Sequence, residues 1–210
     1  KFAANGKDSV LVRHVMTHQT GCSGFPRPVT VEELYDHDLM ADLLAGMQPW
    51  WEPGTAPGYH AITQGTLQAE LLRRVDGRTL GTFFRDEVTR PLNADFHIGL
   101  PLSEGHRVAQ LDVPKEGIDQ IVEGQPDSVA LRTFRSCRLD GTETETDEWR
   151  SAEIPAGGGI GNARSISRVH SAVACGGTID GITLMNPETI EAALDRQTFD
   201  RDLVLGLNVQ

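Results

Sequence analysis

The residue best placed for chemistry in this chain of 210 residues is a tyrosine. The run Pro53-Gly54-Thr55-Ala56-Pro57-Gly58-Tyr59-His60-Ala61 delivers Tyr59 from a stiff turn to the start of a predicted amphipathic helix. Pro53 fixes one backbone angle, Gly54 permits a tight turn, and Pro57-Gly58 brakes the chain again. A phenol held in that way can exchange a proton with a reacting group. Phenols ordinarily titrate near pH ~10, so such a group acts as a base at neutral pH only where neighbouring positive charge favours the phenolate.

Other residue clusters carry weaker chemical signals. His14 and His18 stand four apart on a predicted helix, but a metalloprotease pattern needs Glu after the first His, and Val15 occupies that place. They read as hydrogen-bonded histidines supporting a turn, and no metal is expected. The cluster Gly157 to Gly161 lacks a following Gly-Lys-Ser/Thr, so it is no phosphate loop and no nucleotide cofactor is expected. In Gly21-Cys22-Ser23-Gly24 a nucleophile elbow would need glycine where Phe25 stands, so Ser23 is not expected to attack a substrate. The acidic stretch Asp140 to Glu148 has no EF-hand spacing and reads as a solvated loop. Trp50 and Trp51, just before the Pro-Gly turn, could line an acyl pocket or bury apolar area beneath the turn.

Helical patterns position most of these groups. A short helix is predicted over 12 to 18, ended by Gly21 and Gly24. Thr30-Val31-Glu32-Glu33 reads as a capping box opening a helix to about Ala45. Apolar spacing from Ile62 to Val75 predicts a helix stopped by Gly77, with Tyr59 in or near its first turn. Thr79 opens another helix through Val88, and Phe96 to Leu100 is β-compatible. From Ser103 to Trp149 periodicity weakens, apart from a short helical pattern at 104 to 111. Asn162 caps a helix whose apolar face includes Ile166, Val169, Ala172 and Val173. Asp180-Gly181 marks a turn, and Asn186-Pro187 starts a last helix to about Arg196.

The net charge of −11 and pI near 5.0 exclude the basic face that nucleic-acid binding needs. No run approaches the ~18 apolar residues that span a bilayer, so no membrane partner is expected. Three cysteines, Cys22, Cys137 and Cys175, are odd in number and far apart. They read as reduced thiols, which fits a cytoplasmic protein. The chain opens at Lys1 without an initiator Met, so trimming is expected and any targeting segment would be invisible.

Pro53-Gly54, four residues, then Tyr59 resembles the second motif of the serine β-lactamase, penicillin-binding-protein and family VIII esterase superfamily. Upstream, the stretch from Val12 to Gly21 is similar to the helix and Thr-His-x-x-Gly turn of those proteins. Downstream, Val75-Asp76-Gly77-Arg78-Thr79-Leu80, Phe83-Phe84 and Pro91-Leu92-Asn93-Ala94-Asp95 continue the resemblance in order. The glycine turn with Asn162-Ala163, the pair Gly176-Gly177 and Pro187-Glu188-Thr189 extend it, closest to the esterase-like branch.

The resemblance implies an α/β (α+β) fold of the β-lactamase/transpeptidase type, with residues 1–210 forming its mostly helical central part as a single incomplete hydrolase domain. It makes Tyr59 the catalytic residue, and it places Trp50, Trp51, His60, Gly158 and Gly159 beside a small-molecule ester substrate. In that family a Ser-x-x-Lys motif supplies the nucleophile and its base. The three lysines here are Lys1, Lys7 and Lys115, and none has serine three residues before it. The third family motif, a Lys-Thr-Gly or His-containing glycine turn, is also absent before Gln210. These departures predict flanking segments in a longer protein, and exposed apolar edges that associate with a second copy when those segments are missing. Ala61, where β-lactamases usually carry Asn, favours an ester-cleaving relative. Two alternatives stay open: a binding protein that kept the cleft without the chemistry, and a weak β-lactamase or D-amino-peptidase relative.

Overall fold

The computed structural model describes residues 2–112 and 127–209. Lys1, Lys115 and Gln210 lie outside the described residues.

Helix α1, Val12–Met16, is shorter than predicted and turns only Val15 into the core. It ends because His18 adopts a left-handed backbone with φ of +59°, which reverses the chain. Residues 19–25 that follow are all buried. Their glycines permit this. A Cβ on Gly21 would stand 2.4 Å from the Trp51 carbonyl oxygen, and one on Gly24 2.4 Å from Ser136 Oγ.

The capping box forms as expected, with the Thr30 hydroxyl accepting from the Glu33 amide and the Glu33 carboxylate accepting from the Thr30 amide. A bidentate pair with Arg27 holds that carboxylate down to about 2. The helix it opens is not continuous to Ala45. It stops as α2, Val31–Leu34, and restarts as α3, His37–Gly46. The cause is Asp36, whose side chain caps the Leu39 amide and holds its own backbone extended.

Helix α4, Thr63–Asp76, ends at Gly77 with φ of +90°, as its sequence requires. It packs on α3 through an ion network in which Glu70 takes His37, Arg73 and Arg74, and Arg73 also takes Asp38. Helix α5, Leu80–Phe84, begins at the Thr79 cap and runs into a π-helical turn, Arg85–Thr89. The Glu153 carboxylate accepts from the Thr79 hydroxyl and the Gly81 amide, so it covers two donors at that helix start.

The β-compatible run becomes β1, Phe96–Ile98. Its partner is the glycine cluster, which forms β2, Gly159–Gly161, antiparallel to it. Phe96 lies across this strand so closely that a Cβ at Gly159 or Gly161 would meet its ring at 2.7 and 2.5 Å. Phe84 meets Phe96 edge-on at 5.9 Å. Helix α6, Val129–Ser136, capped by Ser128, is not expected from the sequence pattern. It closes over the buried 19–25 stretch, with Thr133 Oγ1 2.6 Å from Ser23 Oγ and Ser136 Oγ accepting from the Phe25 amide. The acidic stretch is ordered as a 3-10 turn, Thr142–Glu145, and α7, Asp147–Ser151, because Trp149 is buried there at 3% exposure.

Helix α8, Ala163–Ala174, starts at the Asn162 cap, but its buried positions are Ser165 and Ala172, while Ile166 faces out. A hairpin of β3, Thr178–Ile179, and β4, Ile182–Thr183, turns at Asp180-Gly181. Helix α9, Pro187–Leu194, is capped by Asn186, and a last hairpin pairs β5, Asp200–Arg201, with β6, Asn208–Val209. The main core gathers Val15, Cys22, Phe25, Leu34, Met40, Leu44, Leu67 and Ile154.

Close approach at α4 gives a direct test of this packing. Alanine in place of glycine normally favours a helix by about 1 kcal/mol. At Gly65 the added Cβ would stand 2.5 Å from the Ala156 backbone nitrogen. Overpacking against backbone costs about 1–3 kcal/mol, which outweighs the propensity gain. Gly65→Ala is therefore expected to lower the denaturant midpoint with an unchanged m-value, and a raised midpoint would refute the packing described.

Candidate active site

The site is assembled around four residues of backbone. Gly58 donates its N–H to the His18 carbonyl at 2.9 Å, and His60 donates its own to His18 Nδ1 at 3.0 Å. On the other side, the Pro57 carbonyl accepts from the Leu203 amide at 2.9 Å, and Tyr59 donates to Asp202 Oδ1 at 3.1 Å. The stretch 57–60 is thus bonded alternately to two partners, as a central strand is to its neighbours. These bonds also explain where α4 begins. Residues 58–60 give their amides away sideways, so the helix starts at Thr63, four residues after Tyr59. The positive helix end therefore lies farther from the phenol than the sequence spacing suggests.

His18 serves this stretch twice, with its carbonyl and with its ring, and its left-handed backbone is what lets one residue offer both. Burial lowers the pKa of its imidazole, against the raising influence of Asp202, which keeps the ring available as an acceptor. His60 is 1% exposed. Its Nδ1 lies 2.5 Å from the Gly58 carbonyl, which can only accept, so Nδ1 carries the proton. Its Nε2 then accepts from the Thr20 hydroxyl at 2.6 Å. Burial lowers the His60 pKa to about 3, and the neutral tautomer is fixed from both ends.

Tyr59 is half-buried, its ring 5.2 Å from that of His18. It forms part of the wall of a cavity of about 720 Å³ between the His18 turn and the C-terminal residues. Arg196, Asp195 and Asp202 supply the charges of that wall, and Met16, Leu194 and Leu205 supply apolar surface. A second cavity of about 750 Å³, between α2, α3, α4 and Glu153, has His37, Asp38, Arg73 and Glu153 of its lining already bonded and contains no part of the Tyr59 cluster.

The structure brings together only some of the sequence-predicted residues. Trp51 lies beside Tyr59's neighbours: its indole N–H donates to the Ala56 carbonyl, its ring meets His60 edge-on at 5.9 Å, and it fills the space a Cβ on Gly58 would need. His60 stands under Tyr59 with both ring nitrogens engaged, so in this structure it supports the segment and is closed to a ligand. Trp50 lies elsewhere, stacked beneath the Arg132 guanidinium and against Gly24. Gly158 and Gly159 are accounted for by close packing on Ile154 and Phe96. None of Trp50, Trp51, His60, Gly158 or Gly159 lines the cavity at Tyr59. His14 does not pair with His18, because the helix has ended and the His14 ring packs on Gly54. Ser23 is 1% exposed beside Thr133, and burial pushes the adjacent Cys22 thiol up to about 11, so neither is a nucleophile here.

Sequence reasoning misses Asp202. It is 2% exposed, and Oδ1 accepts the amides of Tyr59, Val204 and Leu205. Its local signal is the Asx pattern, a carboxylate folding back on amides two and three residues ahead. Among 30 acidic residues that signal selects no single one, and its bond to Tyr59 spans 143 positions.

Among the described residues no group of His, Cys, Asp or Glu is arranged to hold a metal, and no helix is long and apolar enough to cross a membrane.

Comparison with known proteins places the fold. A family model described as beta-lactamase matches residues 1–208. The esterase/beta-lactamase LipL of Mycobacterium tuberculosis is 36% identical over 219 residues, covering 99% of this chain and 51% of LipL. The crystal structure of a family VIII carboxylesterase superposes with a TM-score of 0.89 at 36% identity, covering 99% of this chain and 55% of that one. A penicillin-binding-protein homologue from Caulobacter crescentus gives 0.83 at 39% identity, covering 99% and 54%. The chain thus spans about half the length of the relatives it matches.

Proposed function

Since the chain belongs to the beta-lactamase family, we propose that the whole protein is a serine hydrolase that cleaves carboxylic esters through an acyl-serine, with Tyr59 as its proton-carrying phenol. The observation that carries this reading is the rigid presentation of Tyr59, gripped on both sides of its backbone, on the wall of a cavity large enough for a small ester. A serine and lysine from the flanking half would complete the relay. The lysine favours the phenolate by its charge, the phenolate takes the serine's proton during attack, and the phenol so formed gives that proton to the leaving alcohol. Arg196 on the cavity wall cannot stand in for the lysine, because a guanidinium does not release its proton. Ala61 offers no amide to an acylamino side chain, which supports esters over β-lactams as substrates.

Incubating the whole protein with p-nitrophenyl butyrate is expected to give a burst of p-nitrophenol and, by intact-mass and peptide analysis, one butyryl group on a serine outside residues 1–210. A β-lactam is expected to turn over more slowly. A whole protein that hydrolyses no ester and takes no acyl group would refute the enzyme reading and leave a binding protein with a family cleft. An adduct on Ser23 would overturn the assignment of the nucleophile to the flanks.

A further inference from the structure

We propose that Asp202 is a positioning residue for Tyr59, its carboxylate holding the tyrosine amide so that the phenol stays at the cavity wall; the consequence for turnover rests on the function proposed above.

The geometry supports this in three ways. Asp202 is 2% exposed, yet it is bonded by Oδ1 to three amides, those of Tyr59 at 3.1 Å and of Val204 and Leu205 at 2.8 Å. Two of the three bonds fix the aspartate's own turn, so the carboxylate is locked before it reaches Tyr59. A buried carboxylate bound by several amides is a stiff anchor, because charge-assisted hydrogen bonds are short and strong. Next, the Leu203 amide bonds the Pro57 carbonyl, so adjacent residues of one turn hold the tyrosine segment at two points. The turn is itself braced, by Asp202 donating its amide to Leu207 and by Gly206 donating to Asp202. Finally, the opposite side of the segment is held by the Gly58 and His60 amides on His18 and by the His60 ring on Thr20. Removing the Asp202 oxygen would take the partner from the Tyr59 amide itself and leave the segment held at Pro57, Gly58 and His60 on either side of it.

Asp202 borders the cavity, but the oxygen that bonds Tyr59 is spent on three amides. Its expected contribution is therefore geometric. A displacement of about 1 Å in a reacting group can cost roughly 100-fold in rate.

The test uses the whole protein carrying Asp202→Ala and Asp202→Asn. The asparagine keeps an acceptor oxygen in the same place, so it separates geometry from charge and guards against a variant that does not fold. Two readouts are taken. Biosynthetic 3-fluorotyrosine gives a fluorine resonance for Tyr59, assigned by its loss in Tyr59→Phe. Tyr35, the other tyrosine of residues 1–210, serves as reference. Turnover of p-nitrophenyl butyrate is measured per active site titrated by the burst. Asp202→Ala is expected to shift or broaden the Tyr59 resonance while Tyr35 stays, and to lower kcat about 100-fold with a smaller change in KM. Asp202→Asn is expected to restore the resonance and most of kcat. An Asp202→Ala protein with an unmoved Tyr59 resonance would overturn the proposal. So would equal disturbance of both tyrosines without rescue by asparagine, since the carboxylate would then be holding the fold at large. If the Tyr59 resonance moves while kcat holds, the anchor stands and the proton-carrying role of Tyr59 is what fails. If the whole protein hydrolyses no ester, the resonance still decides the anchor.

Discussion

Tyr59→Phe in the whole protein is expected to reduce ester turnover by about 100- to 10,000-fold while leaving the fold intact. The two effects separate because the tyrosine is held by its backbone. Its amide bonds Asp202, and its neighbours bond His18 and Leu203; phenylalanine keeps every one of these bonds. The ring is half-buried against His18 and the cavity, so removing the hydroxyl changes stability by no more than about one hydrogen bond, roughly 1 kcal/mol. Losing the proton carrier costs far more than losing that bond. The loss should appear in kcat and in kcat/KM alike, because the proton moves in the transition state and not on binding. Near-complete turnover in Tyr59→Phe would return the tyrosine to a packing role.

Acid is expected to destabilise the protein through His60 before any carboxylate takes part. The folded His60 has its pKa lowered to about 3 by burial, whereas an unfolded histidine titrates near ~6.5. Between those values the unfolded chain binds the extra proton, so stability rises with pH across the window and is fully present above about pH 6.5. Falling from pH 6.5 to 5 should cost about 2 kcal/mol from this one group. The carboxylates with lowered values, among them Glu33, Asp76 and Asp95, lose their contribution only below their unfolded values near ~4. Denaturant unfolding at pH 7, 6 and 5 checks this. His60→Asn should be less stable at pH 7, because the Thr20 and Gly58 bonds are disturbed, and should show a flatter slope between pH 6.5 and 5. His14 and His18 have lowered values too, so some slope will remain. An identical slope in His60→Asn would show that its ring does not stay neutral in the fold.

Legibility follows the range of the interactions concerned. Helix starts at Thr79, Asn162 and Asn186, and the stop at Gly77, are readable because the cap and the group it satisfies are at most four residues apart. Asp36 escapes notice even though its competing cap bond to Leu39 is equally local, because the apolar pattern runs across it without a break. Helix α6 has a serine cap and an amphipathic face, yet it follows a stretch without periodicity and its reason for being there is the buried Ser23 and Phe25 more than 100 positions earlier. The glycines of β2 carry a sequence signal without an address, since the ring that needs them is Phe96. At the site, the resemblance picks out Tyr59, and the turn residues around it are legible as turn residues. That Trp50 faces Arg132 and not the tyrosine cannot be read from two adjacent tryptophans. Trp50 and Trp51 leave the chain on different sides, and only the packing partners distinguish them.

The alternate bonding of residues 57–60 restricts insertions and deletions more than it restricts residue type. His18 accepts at 58 and 60, and the 202–203 turn engages 57 and 59. In a two-residue alternation, one added or lost residue exchanges the two sides. The position now reaching the cavity would turn into the pocket between Thr20 and Trp51, and the position now buried there would turn out. The length of the stretch from Pro57 to His60 is therefore held more tightly than its residue types. A residue inserted or deleted between Pro57 and Tyr59 would turn the phenol away from the cavity, whatever residues were retained.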